Sequence, residues 1–259
     1  MTRCLAALAA LTLALPLLAD EARIAIIIDD VGYRQSEGRR AVSLPGPVAV
    51  AVLPAAPRAS LLARSAHASG KEVLVHLPLQ ATASDGLEEP DSIMLDTTRQ
   101  EFAQAFAAAA ARVPHARGVN NHRGSLITRH PGHMRWLMEE IRDREDWFFV
   151  DSYTTHHSVA LTIAEEHAVP AAKRDVFLDS HRGAASIEQE FERLKDIARR
   201  QGAAIGIGHP LPGTLAFLEV ALPELEAEGI RLVSLSEILE PSSTSRAYHP
   251  LLGQAAATP

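Results

Sequence analysis

The sequence predicts an α/β fold, a single (β/α) barrel of seven or eight parallel strands with helices outside, and three observations support it. From Arg23 to about Glu240, short β-branched runs alternate with longer Ala- and Leu-rich stretches. The runs are continuously apolar, as in strands covered on both faces. The stretches between them are long enough for crossovers, and only a crossover returns the chain parallel to the preceding strand. Seven or eight such units over roughly 215 residues fit one closed or nearly closed barrel, with an open doubly wound sheet as the alternative. Hydrophobic residues make up 47% of the chain, enough to bury one large core.

The first strand is "RIAIIID" (23–29), the second "PVAVAVLP" (47–54) and the third "KEVLVHLPL" (71–79). A helix over 58–69 separates the last two, with Gly70 as its stop signal. A polar, proline-containing loop (81–96) then leads to Thr97 or Thr98, either able to cap an alanine-rich helix running to about Arg112. "ARGVNN" (116–121) is the fourth strand, followed by the turn "HPGH" and a helix over "MRWLMEEIRD". "WFFVD" (147–151) is the fifth, a helix follows over about 158–167, and "DVFLD" (175–179) is the sixth. Amphipathic periodicity predicts a long helix over 187–201, then strands "AAIGIGH" (203–209) and "IRLVS" (230–234) around a helix over 214–228. After Glu240 periodicity is lost, and 241–259 is expected to be a mobile tail to a domain covering 20–240.

The first nineteen residues have a basic start at Arg3, an apolar run from Leu5 to Leu18 and a small residue at Ala19. This layout predicts a secretory signal peptide, with an uncleaved membrane anchor as the alternative reading of a run short for a bilayer. Cleavage there removes Arg3 and no acidic residue, leaving 24 basic against 32 acidic residues. Such an acidic chain lacks the field that nucleic-acid phosphates require. It also removes Cys4, the single cysteine, so any metal must be held by nitrogen and oxygen. A periplasmic or secreted protein without a membrane span in its mature form is expected.

In parallel α/β folds the ligand site forms at the carboxyl ends of the strands, and here those ends are polar. They carry Asp29 and Asp30, His76, then Asn120, Asn121 and His122, Asp151 and Ser152, Asp179, and His209. Adjacent carboxylates at a strand end point in different directions, so one can ligate a cation while the other stays free as a base. If strands one, three and four are neighbours, Asp30, His76 and His122 converge as a two-His, one-carboxylate set with positions left for water and substrate. Zn²⁺ is the expected occupant, with cobalt, nickel and manganese as alternatives. His209, after two glycines in "GIGHP", is a candidate general acid, and Arg123 a candidate oxyanion donor. Asn120, Asn121, Asp151, Arg174 and Asp179 are assigned to the substrate-binding surround, with Asp151 and Asp179 also able to hold His209 or Arg174 in position. His130, His133, His156, His157 and His181 are expected at the surface. No serine sits in a nucleophile elbow, and neither a phosphate loop nor a dinucleotide fingerprint is present.

The ordered set "IDD", "AVLP", "HLPL", "NNHRGS", "VDS", "FLD" and "IGIGHP" resembles the divergent polysaccharide deacetylase family, relatives of the NodB-type carbohydrate esterases, from about Arg23 to Glu240. The resemblance implies a distorted barrel, a divalent metal and a glycan substrate, with Asp29 as base, Asp30 as metal ligand and His209 as the terminal histidine. The chain departs from the parent pattern at three places. Gln80 stands where a second histidine would follow His76 by four residues, so His122 must replace it from the next strand. "NNHRGS" replaces the parent Arg-x-Pro-Tyr motif, and "VDSYT" is the counterpart of Asp-x-x-Asp-Trp. The expected activity is metal-dependent deacylation of amino sugars in a cell-envelope glycan. The alternative is a non-catalytic periplasmic glycan-binding or envelope-assembly protein on the same fold. An aromatic content of 5% weighs against a long sugar-stacking groove.

Overall fold

The computed structural model describes residues 21–82, 89, 91–180 and 183–240; the expected signal peptide, the tail and His181 lie outside them. One parallel sheet contains the strands β1 (Ala22–Val31), β2 (Ala49–Val52), β3 (Val73–Leu79), β4 (Ala116–Arg123), β5 (Phe148–Asp151), β6 (Ala171–Lys173), β7 (Val176–Phe177), β8 (Ala203–Gly208) and β9 (Ile230–Leu232). Its order is β6-β5-β4-β3-β2-β1-β8-β7, and β9 pairs with the amino-terminal part of β1. The helices are α1 (Gln35–Val42), α2 (Ala59–Ala68), α3 (Arg99–Arg112), α4 (Pro131–Arg142), α5 (Ala160–Glu166), α6 (Ala184–Gln201), α7 (Pro212–Glu224) and α8 (Leu235–Leu239). None of these helices is long and apolar enough to cross a membrane.

The sheet curls into a distorted half-barrel rather than a seamless cylinder. β6 pairs with β5 and β7 with β8, and Arg174–Asp175 carry the chain across the seam between them. Their backbone N–H groups donate one to each side, Arg174 to Asp151 O and Asp175 to Ile205 O. The sixth strand expected over 175–179 is the two-residue β7, and β6, over 171–173, is an additional short strand that the sequence does not announce. Two further elements went unforeseen, α1 and α8. α1, "QSEGRRAV", buries only Gly38, Ala41 and Val42, and so leaves little apolar signal. Of the two candidate caps before α3, Thr98 takes the role, in a capping box with Glu101.

Strand alternation sorts the core into two populations. Ala25, Ile27, Ala49, Ala51, Leu74, Phe148, Val150, Ala203, Ile205 and Ile207 fill the barrel interior. Ile24, Ile26, Ile28, Val50, Val52, Val75 and Leu77 pack outward under Leu62, Phe102, Leu137, Leu194 and Leu215 of the helices. The many interior alanines suit the narrow space a barrel of this size encloses. Gly118 does the same on β4, where a Cβ would lie 2.8 Å from the Phe148 ring. Leu235 and Ile238 of α8 join the interior cluster at its amino-terminal end, where the Glu72 carboxylate accepts from the N–H groups of Leu235 and Ser236. Each fully buried Ile or Leu contributes about 1.5–3 kcal/mol relative to exposure. Extending the same alternation toward the carboxyl end brings Asp29, His76, Asn120, His122 and His209 onto the interior face, so the apolar barrel floor gives way to a polar mouth.

Candidate metal centre and its surround

His76 lies mid-strand in β3, a run buried at every position, and not at the strand end that the sequence suggested. Its register partner on β4 is Asn120, and His122, still within the strand, faces Pro78. The two imidazoles thus sit on one face of neighbouring strands, ring centroids 5.0 Å apart. Asp30 reaches them by a different device. Asp29 and Asp30 together oppose Ala51 of β2, a bulge between Ile28 and Val31, and Asp30 has φ 55°. Simple alternation would turn Asp30 outward; the bulge and its left-handed backbone, which Asp tolerates better than most residues, re-aim it.

The outcome is a compact triangle of ligand atoms. Asp30 Oδ1 lies 3.1 Å from His76 Nε2 and 2.9 Å from His122 Nδ1, and the two nitrogens are 3.2 Å apart. A cation bound about 2.0–2.2 Å from each of three such atoms spaces them by about 3.0–3.5 Å. Asp30 Oδ1 is buried yet forms no well-aligned hydrogen bond, which is the orphaned acceptor a ligand oxygen presents. These three residues form a group able to hold a metal ion, and their nitrogen-rich set suits Zn²⁺. Burial pushes the Asp30 pKa up, but His122 and His76 beside it outweigh that and hold it far below the usual carboxylate range.

Asp29 is 2% exposed. Its Oδ1 accepts from Asn120 Nδ2 at 2.7 Å, leaving Oδ2, 3.7 Å from His76 Nε2, turned toward the triangle. Burial raises its pKa above the ordinary value against the pull of His76, His209 and the Asn120 hydrogen bond. A carboxylate raised in this way is a better proton acceptor near neutral pH.

His209 follows β8, its Nε2 3.9 Å from Asp30 Oδ2 on the open side of the triangle. Asp179 holds it from behind. Asp179 Oδ1 pairs with His209 Nδ1 at 2.8 Å, and Oδ2 accepts from the His209 N–H at 2.7 Å and Thr214 Oγ1 at 2.8 Å. Burial would lower the His209 pKa, but Asp179, with Asp29 and Asp30 behind it, raises it to about 9. Asp179 is lowered, because the bonds from His209 and Thr214 outweigh burial. By linkage, the His209 share of stability is complete below its unfolded pKa of about 6.5 and is lost as pH rises toward 9. The Asp179 share is present above about 3.9 and is lost as pH falls below it. In metal-free Asp179→Asn protein, an NMR titration should show the His209 pKa moving from about 9 toward 6.5; an unmoved value would show that Asp179 does not set it.

Three residues assigned to the substrate-binding surround brace the rim. Asn121 donates to Arg123 O at 2.7 Å and accepts from Ser152 N at 2.9 Å, tying the exits of β4 and β5 together. Asp151 accepts from Tyr153 N at 2.8 Å and Ser158 Oγ at 2.6 Å, which secures the φ 49° of Tyr153. Arg174 donates to the carbonyls of Ser152 and Tyr153 at 2.8 and 3.0 Å and stacks on Phe177, 3.6 Å from the ring centroid. These bonds stay within the protein, because a rim of left-handed turns needs side-chain partners for its backbone. Asn120 is likewise fully buried between His76 and Asp29 rather than facing an open ligand space, and Asp179 supports His209. Arg123, with φ 57°, offers its carbonyl to Asn121 and Thr154. Gln80 accepts from Leu95 N at 2.8 Å and contributes no ligand to the triangle. His133, expected at the surface, is 2% exposed and packs against Phe102 and Trp136. Its place on the buried face of α4, with Met134 and Leu137, is the periodicity signal that identifies it.

Comparison with known proteins identifies the family and the fold. Residues 26–239 match the family described as divergent polysaccharide deacetylase. Escherichia coli K12 YibQ is 37% identical over 235 residues, 91% of this chain and 72% of that protein. The crystal structure of ATU2773 from Agrobacterium tumefaciens C58 superposes with a TM-score of 0.81 at 25% identity, covering 85% of this chain and 90% of that one. BA3943, a CE4 family pseudoenzyme from Bacillus anthracis, shares the fold at a TM-score of 0.54 and 12% identity, over 86% of this chain and 66% of its own. With a family match over residues 26–239, the chain belongs to the divergent polysaccharide deacetylase family.

Proposed function

We propose that this protein is a metal-dependent hydrolase that removes acyl groups from amino sugars of a cell-envelope glycan. The observation that carries the reading is the convergence of Asp30, His76 and His122 with two differently tuned proton-transfer groups, Asp29 and His209, on either side. Family membership supports a polysaccharide substrate, and the leader-like residues 1–19 support export to the periplasm or beyond.

Asp30, His76 and His122 would hold a divalent cation, which when bound would supply Lewis-acid polarisation at the reacting centre. Asp29 Oδ2, the carboxylate oxygen not engaged by Asn120, accepts the proton as water attacks the carbonyl carbon. Arg123, next in the chain to His122, is the cationic side chain assigned to the developing oxyanion. His209, held protonated at neutral pH by Asp179, donates from Nε2 to the departing amine as the C–N bond breaks. The products are a carboxylate and a free amino sugar.

The test is the metal content of purified protein together with release of acetate from chitin oligomers and peptidoglycan fragments. Bound metal near one equivalent with acetate release is the expected result. Metal without release from any fragment, or no metal at all, would overturn the hydrolase reading in favour of a glycan-binding role for the same cluster.

A further inference from the structure

We propose that Asn120 is a two-sided positioning residue whose single amide sets the tautomer of His76 through its oxygen and the orientation of Asp29 through its nitrogen. It is fully buried on the interior face of β4, directly across from His76. Its Oδ1 is 2.8 Å from His76 Nδ1, and its Nδ2 is 2.7 Å from Asp29 Oδ1 and 3.4 Å from Ser152 Oγ. A buried amide gains nothing from these bonds unless both ends match their partners, so the chemistry of the partners fixes which way it points.

Asp29 decides the orientation. A carboxylate accepts only, so the NH₂ end of the amide must face it, because the reverse orientation would set carbonyl oxygen against carboxylate oxygen. The carbonyl end is then turned to His76 Nδ1, which must carry the hydrogen. In the neutral ring that leaves the lone pair on Nε2, the atom 3.1 Å from Asp30 Oδ1 and 3.2 Å from His122 Nδ1. The charge on Asp29 is thus read through one amide into the ligating state of an imidazole on another strand, while Asp29 Oδ2 itself stands 3.7 Å from His76 Nε2. Asn120 also occupies Asp29 Oδ1, which leaves Oδ2 as the free oxygen. One residue serves metal ligation and proton abstraction, and its importance for turnover rests on the hydrolase reading.

The two functions separate by substitution. Asn120→Asp keeps an acceptor for His76 Nδ1 but places a second carboxylate against Asp29, and such a pair shares one proton. Asn120→Ala removes both bonds, and Asn120→Ser does so while keeping a small polar group should the alanine variant fold poorly. Zinc alone is the binding probe, titrated calorimetrically, with thermal unfolding as the check on folding. Asn120→Asp should retain zinc affinity within about threefold and lose at least about 100-fold in turnover, whereas Asn120→Ala or Asn120→Ser should lose about 10–100-fold in zinc affinity. Long-range ¹H–¹⁵N correlation of neutral His76 should show Nδ1 protonated in wild type and in Asn120→Asp, and a mixture of tautomers in the other two. Unchanged tautomer and zinc affinity in Asn120→Ala and Asn120→Ser, or equal zinc loss in all three folded variants, would overturn the proposal. If wild type takes up zinc but hydrolyses nothing, the hydrolase reading fails, while the zinc and tautomer measurements still decide the role of the amide.

Discussion

Asp29→Asn protein should bind metal as wild type does and release acetate at least about 10²–10⁴-fold more slowly, the usual contribution of a general base. The substitution is nearly isosteric, and the new amide can still present an oxygen to Asn120 Nδ2, so the packing around a 2% exposed residue is preserved. What changes is Oδ2, the atom 3.7 Å from His76 Nε2. As an amide it has no lone pair basic enough to take a proton from water. Asp29 stays outside the ligand triangle, whereas Asp30 Oδ1 stands 3.1 Å from the same nitrogen, so metal content should be insensitive to the change. Kinetics on chitin oligomers and metal analysis of the same preparation provide the check. Loss of metal in Asp29→Asn would reassign Asp29 as a ligand. Undiminished turnover would remove it from the chemistry altogether.

The chain shows its strands and its polar rim plainly but not the local devices that aim individual side chains. Runs such as "RIAIIID" and "AAIGIG" mark buried parallel strands because both faces must be apolar. The polar residues within and after them then stand out against that background, which is why the sequence itself groups Asp30, His76 and His122. The bulge that turns Asp30 inward left no such mark, because nothing in "IIIDDVG" says that two residues oppose Ala51. Only the β7 part of the β6–β7 segment is legible as a strand, because two- and three-residue strands carry too little periodicity. Asn121, Asp151 and Arg174 look like ligand-binding groups in sequence for the same reason that they brace the rim: a left-handed turn and a substrate ask for the same donors and acceptors. His133 shows the converse, a polar residue buried by the helical face it happens to occupy.

His122→Ala should abolish stoichiometric metal binding, with a loss in affinity larger than the roughly 10–100-fold that follows removal of a supporting group around a metal ligand. In the parent pattern that the sequence resembles, a second histidine follows the first by four residues; here that position, just beyond β3, is Gln80, engaged with Leu95 N. His122 supplies the missing nitrogen from β4, two residues beyond the Asn120 that pairs with His76 in register. Without it, the described residues leave Asp30 and His76 as the ligands of the triangle, and two protein ligands rarely retain Zn²⁺ against water. The fold should tolerate the change, since the His122 side chain is 15% exposed and its ring contributes little to the apolar interior. A matched His156→Ala variant, altering an exposed histidine on the loop after β5, should keep its full metal complement. Equal metal content in the two variants would break the link between this imidazole and the cation.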